Sequence, residues 1–352
     1  MSTPRVVFRT LAIIIVASLL VACWAPEPQF IIVTRAPQGA TCPPQATRVV
    51  TRLVTTTPPP PTPGSAPPSL ALHVLLLPGT QGDMAVRDRL RDLLANASSL
   101  EVELSVPDSE TESVQAICGG SADLVWLSAP AYVVAHEACG ATARFTVMRN
   151  GSASQRAEIM AQTDALRQAR KLRPIRSLAD LDGAVLGYTQ ALSMIGHIAP
   201  KAMLIEAGVA TREELFLGGD VQAALAVYRG EVDAAAATWR PLCEDGTLGD
   251  ARVWLLPTMP DAAQRIKILR LSEPIPNEVI AFRPALSASL AEKLVLALVS
   301  VASSPEGSEL LDELNGISGL LPSNDADYNV VRRMGKALGL DFGEMLAGRA
   351  LY

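Results

Sequence analysis

Two small α/β lobes joined by extended crossings are what this sequence predicts, and three features predict them. After Leu70, short apolar runs alternate with segments of helical spacing. That alternation comes in two sets, the second opening after "IRSLADLDG" (175–183). "IKILRLSEPIPNEVIAF" (266–282) then breaks at Pro274 and Pro276 and leads into a mostly helical tail, 287 to about 340. Repeated strand–helix units give parallel sheets with helices on both faces.

The N-terminus is read separately from the folded part. Arg5 and Arg9 precede and open "TLAIIIVASLL", an apolar run short for a membrane span but of signal-peptide length. It ends in "LLVAC" (19–23), which resembles the lipobox of bacterial lipoproteins. That resemblance implies cleavage before Cys23 and lipid on its sulfur. An ordinary signal peptide or a single N-terminal anchor are the alternatives, and all three send the rest of the chain out of the cytoplasm. Cleavage would leave 28 basic residues of 30 against 36 acidic ones, a net −8 in place of −6. Residues 23–69, with "APQGATCPPQATRVVTRLVTTTPPPPTPGSAPP" (36–68), are dense in Pro and Thr and read as a tether that builds no core.

The folded elements follow in order. "ALHVLLLP" (71–78) is a strand and "MAVRDRLRDLLAN" (84–96) an amphipathic helix. "LEVELSV" (100–106) alternates as a strand, and "ETESVQAICGG" (110–120) is a helix closed by glycine. "ADLVWLS" (122–128) and "APAYVVAHEACG" (129–140) repeat the unit, and "FTVMRNG" and "AEIMAQTD" are strands ending the first set. In the second set, "AVLGYT", helix 196–207, "ELFL", helix "VQAALAVYRG" and "EVDAAAATW" alternate again. The expected division is lobe 1 from 70–175 plus 279–345, and lobe 2 from 176–278.

Composition and cysteine use exclude several classes. Nearly half the residues are apolar and the charge is mildly negative, so there is no basic footprint for nucleic acid. With Cys23 lipidated, Cys42, Cys118, Cys139 and Cys243 remain. Disulfides persist outside the cytoplasm, and Cys118 and Cys139, which bracket a strand and a helix, are the expected pair. No spacing matches a zinc site, His136–Cys139 is isolated, and three histidines leave little for metal or His-based catalysis. No cofactor is called for. A carboxylate pair, Asp123 with Glu137, is better explained by surface charge or capping.

Open α/β sheets bind ligands beyond the carboxyl ends of their strands. Three such places stand out: Ser128 leading to Tyr132, Tyr188 and Thr189 leading to Ser193, and Thr238 with Trp239. Helix starts there suit an anion, and each hydroxyl also has a reading as a helix cap.

Over nearly all of 70–340 the chain resembles the phosphate/phosphonate-type substrate-binding proteins of ABC importers. The resemblance rests on the order and spacing of "ADLVWLSAPAYVVAHEACGA", "SLADLDGAVLGYT", "GHIAPKAMLIEAG", "AALAVYRGEVDAAAATW", "LSEPIPNEVIAFRPALS" and "SSPEGSELLDELNGISGLLPSNDADYNVV". It implies a type 2 periplasmic-binding-protein fold, two α/β lobes with a hinge closing on a small ligand. It also implies delivery to a membrane permease driven by a separate ATPase, with no catalytic group. A phosphonate, phosphate or phosphite ligand is favoured over an unrelated organic solute. A sensor presenting the same clamshell to a signalling partner is the alternative.

The family's Ser-Thr-Ser-Gly anion cradle corresponds to Ser193-Met194-Ile195-Gly196, and Tyr132 matches its tyrosine. Asp220 stands where the family has a histidine, Glu110 where it has a tyrosine, Arg240 where an acidic residue can follow the strand, and Glu278 for the Asp of the crossing. A hydrogen bond to a charged oxygen contributes roughly 1.5–3 kcal/mol. Two missing hydroxyls therefore weaken an oxyanion on the order of hundreds-fold.

Overall fold

The computed structural model describes residues 71–80, 84–240 and 249–348. The expected signal peptide and tether, with Cys23 and Cys42, and also Cys243, lie outside the described residues. The chain begins with β1 (Leu72–Leu75), α1 (Met84–Ser98), β2 (Val102–Ser105), α2 (Glu110–Gly119), β3 (Leu124–Leu127), α3 (Ala129–Cys139) and β4 (Thr142–Met148). There follow β5 (Ser154–Gln162), α4 (Asp164–Ala169), β6 (Val185–Tyr188), α5 (Ala199–Glu206), β7 (Glu213–Phe216), α6 (Asp220–Arg229), β8 (Ala234–Trp239), α7 (Ala262–Arg265), β9 (Ile266–Leu271) and β10 (Ile275–Pro276). The chain then returns through β11 (Val279–Phe282), α8 (Ala288–Ser303), α9 (Pro305–Asn315), β12 (Gly319–Pro322), α10 (Asn329–Leu338) and α11 (Phe342–Leu346).

Two six-stranded sheets result. The first has the order β12-β4-β11-β3-β1-β2; the second is β10-β5-β8-β6-β7, with β9 also on β5. Each lobe thus has its own α/β sheet.

Three expectations are corrected. The crossing into the second lobe lies between β4 and β5, at 149–153, rather than after 175, because β5 pairs with β8 and β9. The sheets are mixed rather than parallel. A strand that has just crossed enters its sheet at the end where the resident strands finish, so β11 runs antiparallel to β3 and β5 antiparallel to β8. The tail also contains a strand, β12, paired with β4. Its Pro322 is tolerated because β12 is an edge.

Period-two alternation buries both faces of the first sheet. Leu124, Trp126, Ile280 and Phe282 pack under α1, α8 and α9, while Val125, Leu127, Val279 and Ala281 face a second cluster with Tyr132, Val331 and Phe342. In the second sheet the run Ala234–Ala237 does the same with small side chains, Ala235 and Ala237 on one face and Ala234 and Ala236 on the other. Asp123 is structural: it pairs with Arg283 at 2.6 Å and accepts from His73 N at 3.0 Å. Glu137 is exposed and reaches Arg332 instead. Cys118 and Cys139 form a disulfide with Cα atoms 5.4 Å apart, joining the last turns of α2 and α3.

One apolar cluster spans both lobes. Ile198, Ala199 and Ala202 at the start of α5 share it with Val330, Val331 and Met334 of α10, and Met194 and Ile195 pack against it.

Candidate functional site

Strand registers locate the site. Leu127 at the end of β3 lies opposite Val279, where β11 arrives from the crossing. Trp239 at the end of β8 lies opposite Arg156, just after β5 leaves the crossing. The carboxyl ends of β3 and β8 therefore both abut the segments that join the lobes, the position where an open α/β sheet presents its loops to a ligand.

The crossing is firmly tied. Arg149 donates from Nε and Nη2 to the two Glu278 oxygens at 3.1 and 3.0 Å, a bidentate pair that is three-quarters buried. Asn277 Nδ2 donates to Val147 O and Ser152 O at 3.1 and 2.8 Å. Asn277 Oδ1 is buried without a donor. Glu278 is thus a contact between the crossing strands, its carboxylate already committed to a guanidinium.

On the first lobe, Ser128 caps α3 by accepting from Ala131 N at 3.3 Å, and Pro130 suits a first helical turn. Glu110, in the first turn of α2, reaches the same residue. Its Oε1 accepts from Ser128 N at 2.7 Å and its Oε2 from Ser128 Oγ at 2.9 Å. Glu110 and Ser128 are therefore brought together, and a carboxylate of the chain itself occupies the donors at this helix start.

Tyr132 packs into the apolar cluster of the first lobe. It lies four residues into α3 and is fully buried. Its hydroxyl donates to Asp325 Oδ1 at 3.1 Å and accepts from Ala143 N at 3.2 Å, with Tyr328 packed 4.6 Å away between ring centroids. Burial pushes its phenol well above the ordinary range. Tyr188 is likewise fully buried among Leu186, Leu204 and Val209, its ring against His197 and Phe216. A large aromatic at a strand end is worth more in the core than at a solvent-filled mouth.

On the second lobe, Ser193 Oγ accepts from Gly196 N at 2.8 Å and opens a wide turn with π-type bonding, Met194–Ile198, that runs into α5. Gly196 is required by close approach: a Cβ there would fall 1.8 Å from Thr189 Oγ1. His197 is buried, with Nδ1 2.7 Å from Ala191 O. Burial lowers its basicity, partly offset by that carbonyl. Met194 and Ile195, in place of two hydroxyls, face the apolar cluster shared with α10. This helix start therefore packs against the other lobe.

Asp220, at the start of α6, accepts from Thr238 N at 3.1 Å, so Asp220 and Thr238 are also brought together. Trp239 is half-buried beside Arg156, and Arg240 is exposed. Beneath them lies a group the sequence reading missed. Glu158 on β5 is fully buried, its Oε1 accepting from Ala251 N at 3.2 Å and its Oε2 without a partner. Burial first, then the Asp250 charge, push this carboxyl up to about 8. Arg252 is held by Asp250 through two short bonds of 2.8 and 2.7 Å. Only alternation in "SQRAEIMAQ" could have signalled Glu158, since it sits at an inward position. Arg156 carried no signal once the first crossing was placed after 175.

The site has acceptors and hydroxyls, and among the described residues no group of three His, Cys, Asp or Glu side chains is placed to hold a metal. Comparison with known proteins agrees with the fold. The family model described as "ABC transporter, phosphonate, periplasmic substrate-binding protein" matches residues 80–328. The solved structure of XAC2383 from Xanthomonas citri bound to ATP is 16% identical, covers 80% of this chain and 99% of its own, and superposes with a TM-score of 0.55. The same protein bound to chloride ion gives 0.53 at the same identity and coverages. PhnD1 from Prochlorococcus marinus in complex with methylphosphonate is also 16% identical, covers 76% of this chain and 98% of its own, and has a TM-score of 0.48.

Proposed function

Since the chain belongs to the family of periplasmic substrate-binding proteins of ABC phosphonate transporters, we propose that it is the lipid-anchored solute-binding component of an importer. Two α/β lobes close on a small ligand, which passes to a permease driven by a separate ATPase. The family is one of binding proteins, not enzymes, and its place is outside the cytoplasm. The observation that carries the reading is that the β3 end and the β8 end each abut a segment of the crossing. Ligands bridging two such ends gain contacts from both lobes only when the lobes close, which couples binding to a shape that a permease can recognise.

The lipid anchor rests on "LLVAC" and the Pro/Thr-rich stretch behind it. A single acyl group gives marginal membrane binding, and a lipoprotein's multiple chains hold the carrier near its permease. Phosphonate, phosphate and phosphite are the family-level expectation for the cargo. Ser193 is the cradle hydroxyl that remains, and it caps Gly196 N.

Small-angle scattering of the mature chain in detergent, with and without solutes, tests the clamshell. A solute that raises the melting temperature should also shrink the radius of gyration. Stabilisation without contraction, for every solute that binds, would refute closure. Labelling with a radioactive fatty acid should mark the wild-type chain and not the Cys23→Ser variant, and an unlabelled wild type would refute lipidation at that sulfur. Growth on the bound solute that needs this protein and a permease would separate transport from sensing.

A further inference from the structure

We infer that the loop after α4, residues 170–174, is a contact surface for an anionic phospholipid bilayer; this rests on the lipid-anchored reading above. β5 leaves the crossing at Ser154 and ends at Gln162, and α4 follows at once. The loop therefore lies at the end of the second lobe remote from the crossing. Its backbone is pinned. Lys171 N donates to Gln168 O and Leu172 N to Arg167 O, both at 2.9 Å, and Arg167 Nε donates to Arg173 O at 2.6 Å. Lys171 is turned into the left-handed region, φ 59°, which a residue with a side chain adopts at a cost.

This pinned turn holds an apolar side chain out among bare cations. Leu172 is 45% exposed, and Arg170, Lys171 and Arg173 beside it are exposed too. The nearby carboxylates are committed elsewhere. Asp164 is shared by Arg176 and Lys267, and Asp233 pairs with Arg167. Asp180, though near Arg173, accepts from Arg176 N and from Ser177 N and Oγ. Arg170 and Arg173 donate to neutral oxygens, Arg229 O at 3.0 Å and Asp180 O at 2.6 Å. Cations alone would suit any acidic partner. A leucine held out between three of them suits the boundary of phosphates and acyl chains, where charge and apolar surface are satisfied together. Each cation near an anionic bilayer favours contact by about fivefold, so three give on the order of a hundredfold. That is weak for a free protein, and a tether makes it intramolecular. At ~3.1 Å per residue the Pro/Thr-rich stretch 23–69 reaches about 145 Å. The second contact therefore keeps the lobes low over the bilayer.

The test is hydrogen–deuterium exchange of the mature chain reconstituted in vesicles. Amides of 166–176 should exchange at least threefold more slowly over phosphatidylcholine with about one-third phosphatidylglycerol than over phosphatidylcholine alone. About 0.5 M sodium chloride should abolish the difference, because it screens charges beyond a few ångströms. The combined variant Arg170→Gln, Lys171→Gln, Arg173→Gln should lose the protection, and Leu172→Ser should reduce it. If the combined variant does not fold, Lys171→Glu, which gives up no ion pair, should at least halve the protection. Lys293→Gln, an exposed lysine on α8, should change nothing. Equal exchange over both vesicle types overturns the inference, as does full protection in the charge variants. Protection by soluble polyglutamate but not by anionic vesicles also overturns it, in favour of an acidic protein partner. Fatty acid on Cys23 without protection sinks this surface and keeps the anchor. Protection in a chain that takes up no fatty acid keeps the surface and sinks the anchor.

Discussion

Glu158→Gln should make the second lobe more stable at alkaline pH and flatten its pH dependence. The wild-type carboxyl is fully buried, has one hydrogen bond from Ala251 N and one oxygen without a partner, and lies near the Asp250 and Asp220 charges. Its folded-state value of about 8 is above the 4.5 of an ordinary glutamate. The native state therefore keeps a proton that the unfolded chain releases. Its contribution is fully present below pH 4.5 and falls as pH rises, until it is lost above 8. At about 1.36 kcal/mol per pH unit, the full displacement corresponds to roughly 5 kcal/mol. Relaxation around a buried charge leaves about 2–3 kcal/mol for the range between pH 5.5 and 8. Glutamine keeps the shape and has no proton to lose, at the cost of about 1–3 kcal/mol if its amide hydrogens find no acceptor. Urea unfolding followed by circular dichroism at pH 5.5, 7 and 8.5 measures this. Wild type should lose stability steadily across the series and Glu158→Gln should not. Parallel profiles for the two proteins would refute the assignment of the slope to this residue.

Asp123→Ala should cost about 3–5 kcal/mol, because it leaves Arg283 largely buried without its partner; chemical denaturation reads this directly, and a loss below 1 kcal/mol would show the pair to be dispensable. Gly196→Ala should destabilise by about 1–3 kcal/mol, since the new methyl collides with Thr189, and crystallography of the variant should show the Met194–Ile198 turn displaced. Replacing Cys118 and Cys139 with Ser opens a loop whose ends are 21 residues apart and should cost about 3 kcal/mol. Reductant should lower the wild-type melting temperature and leave that of the double variant unchanged.

The strand–helix rhythm was legible because each element buries a periodic face. Leu90 and Leu94 on α1 and the alternating Leu124 and Trp126 on β3 stand at the spacings their elements require. Sheet direction and the first crossing were not legible. "AEIMAQTD" reads as a strand wherever it goes, and only pairing with β8 decides its lobe. Of the site, two helix starts were readable from Ser128 and Ser193, since capping residues carry a local signal. The fate of Tyr132 and Tyr188 was not, because an aromatic near a strand end can turn to ligand or to core, and long-range packing decides. The Glu110–Ser128 contact spans eighteen positions of sequence, and no local pattern encodes it.

The seam between α5 and α10 bears on how the protein moves. Parting the lobes symmetrically would bare Ile198, Ala202, Val331 and Met334 to water, which the hydrophobic effect opposes. The easy motion is instead a door-like swing that keeps this edge in contact while the opposite edge gapes. A resting population already near the shut form raises apparent affinity, since little of the cargo's binding energy goes into rearrangement. The same bias slows release, so discharge would depend on a membrane partner that prises the free edge apart.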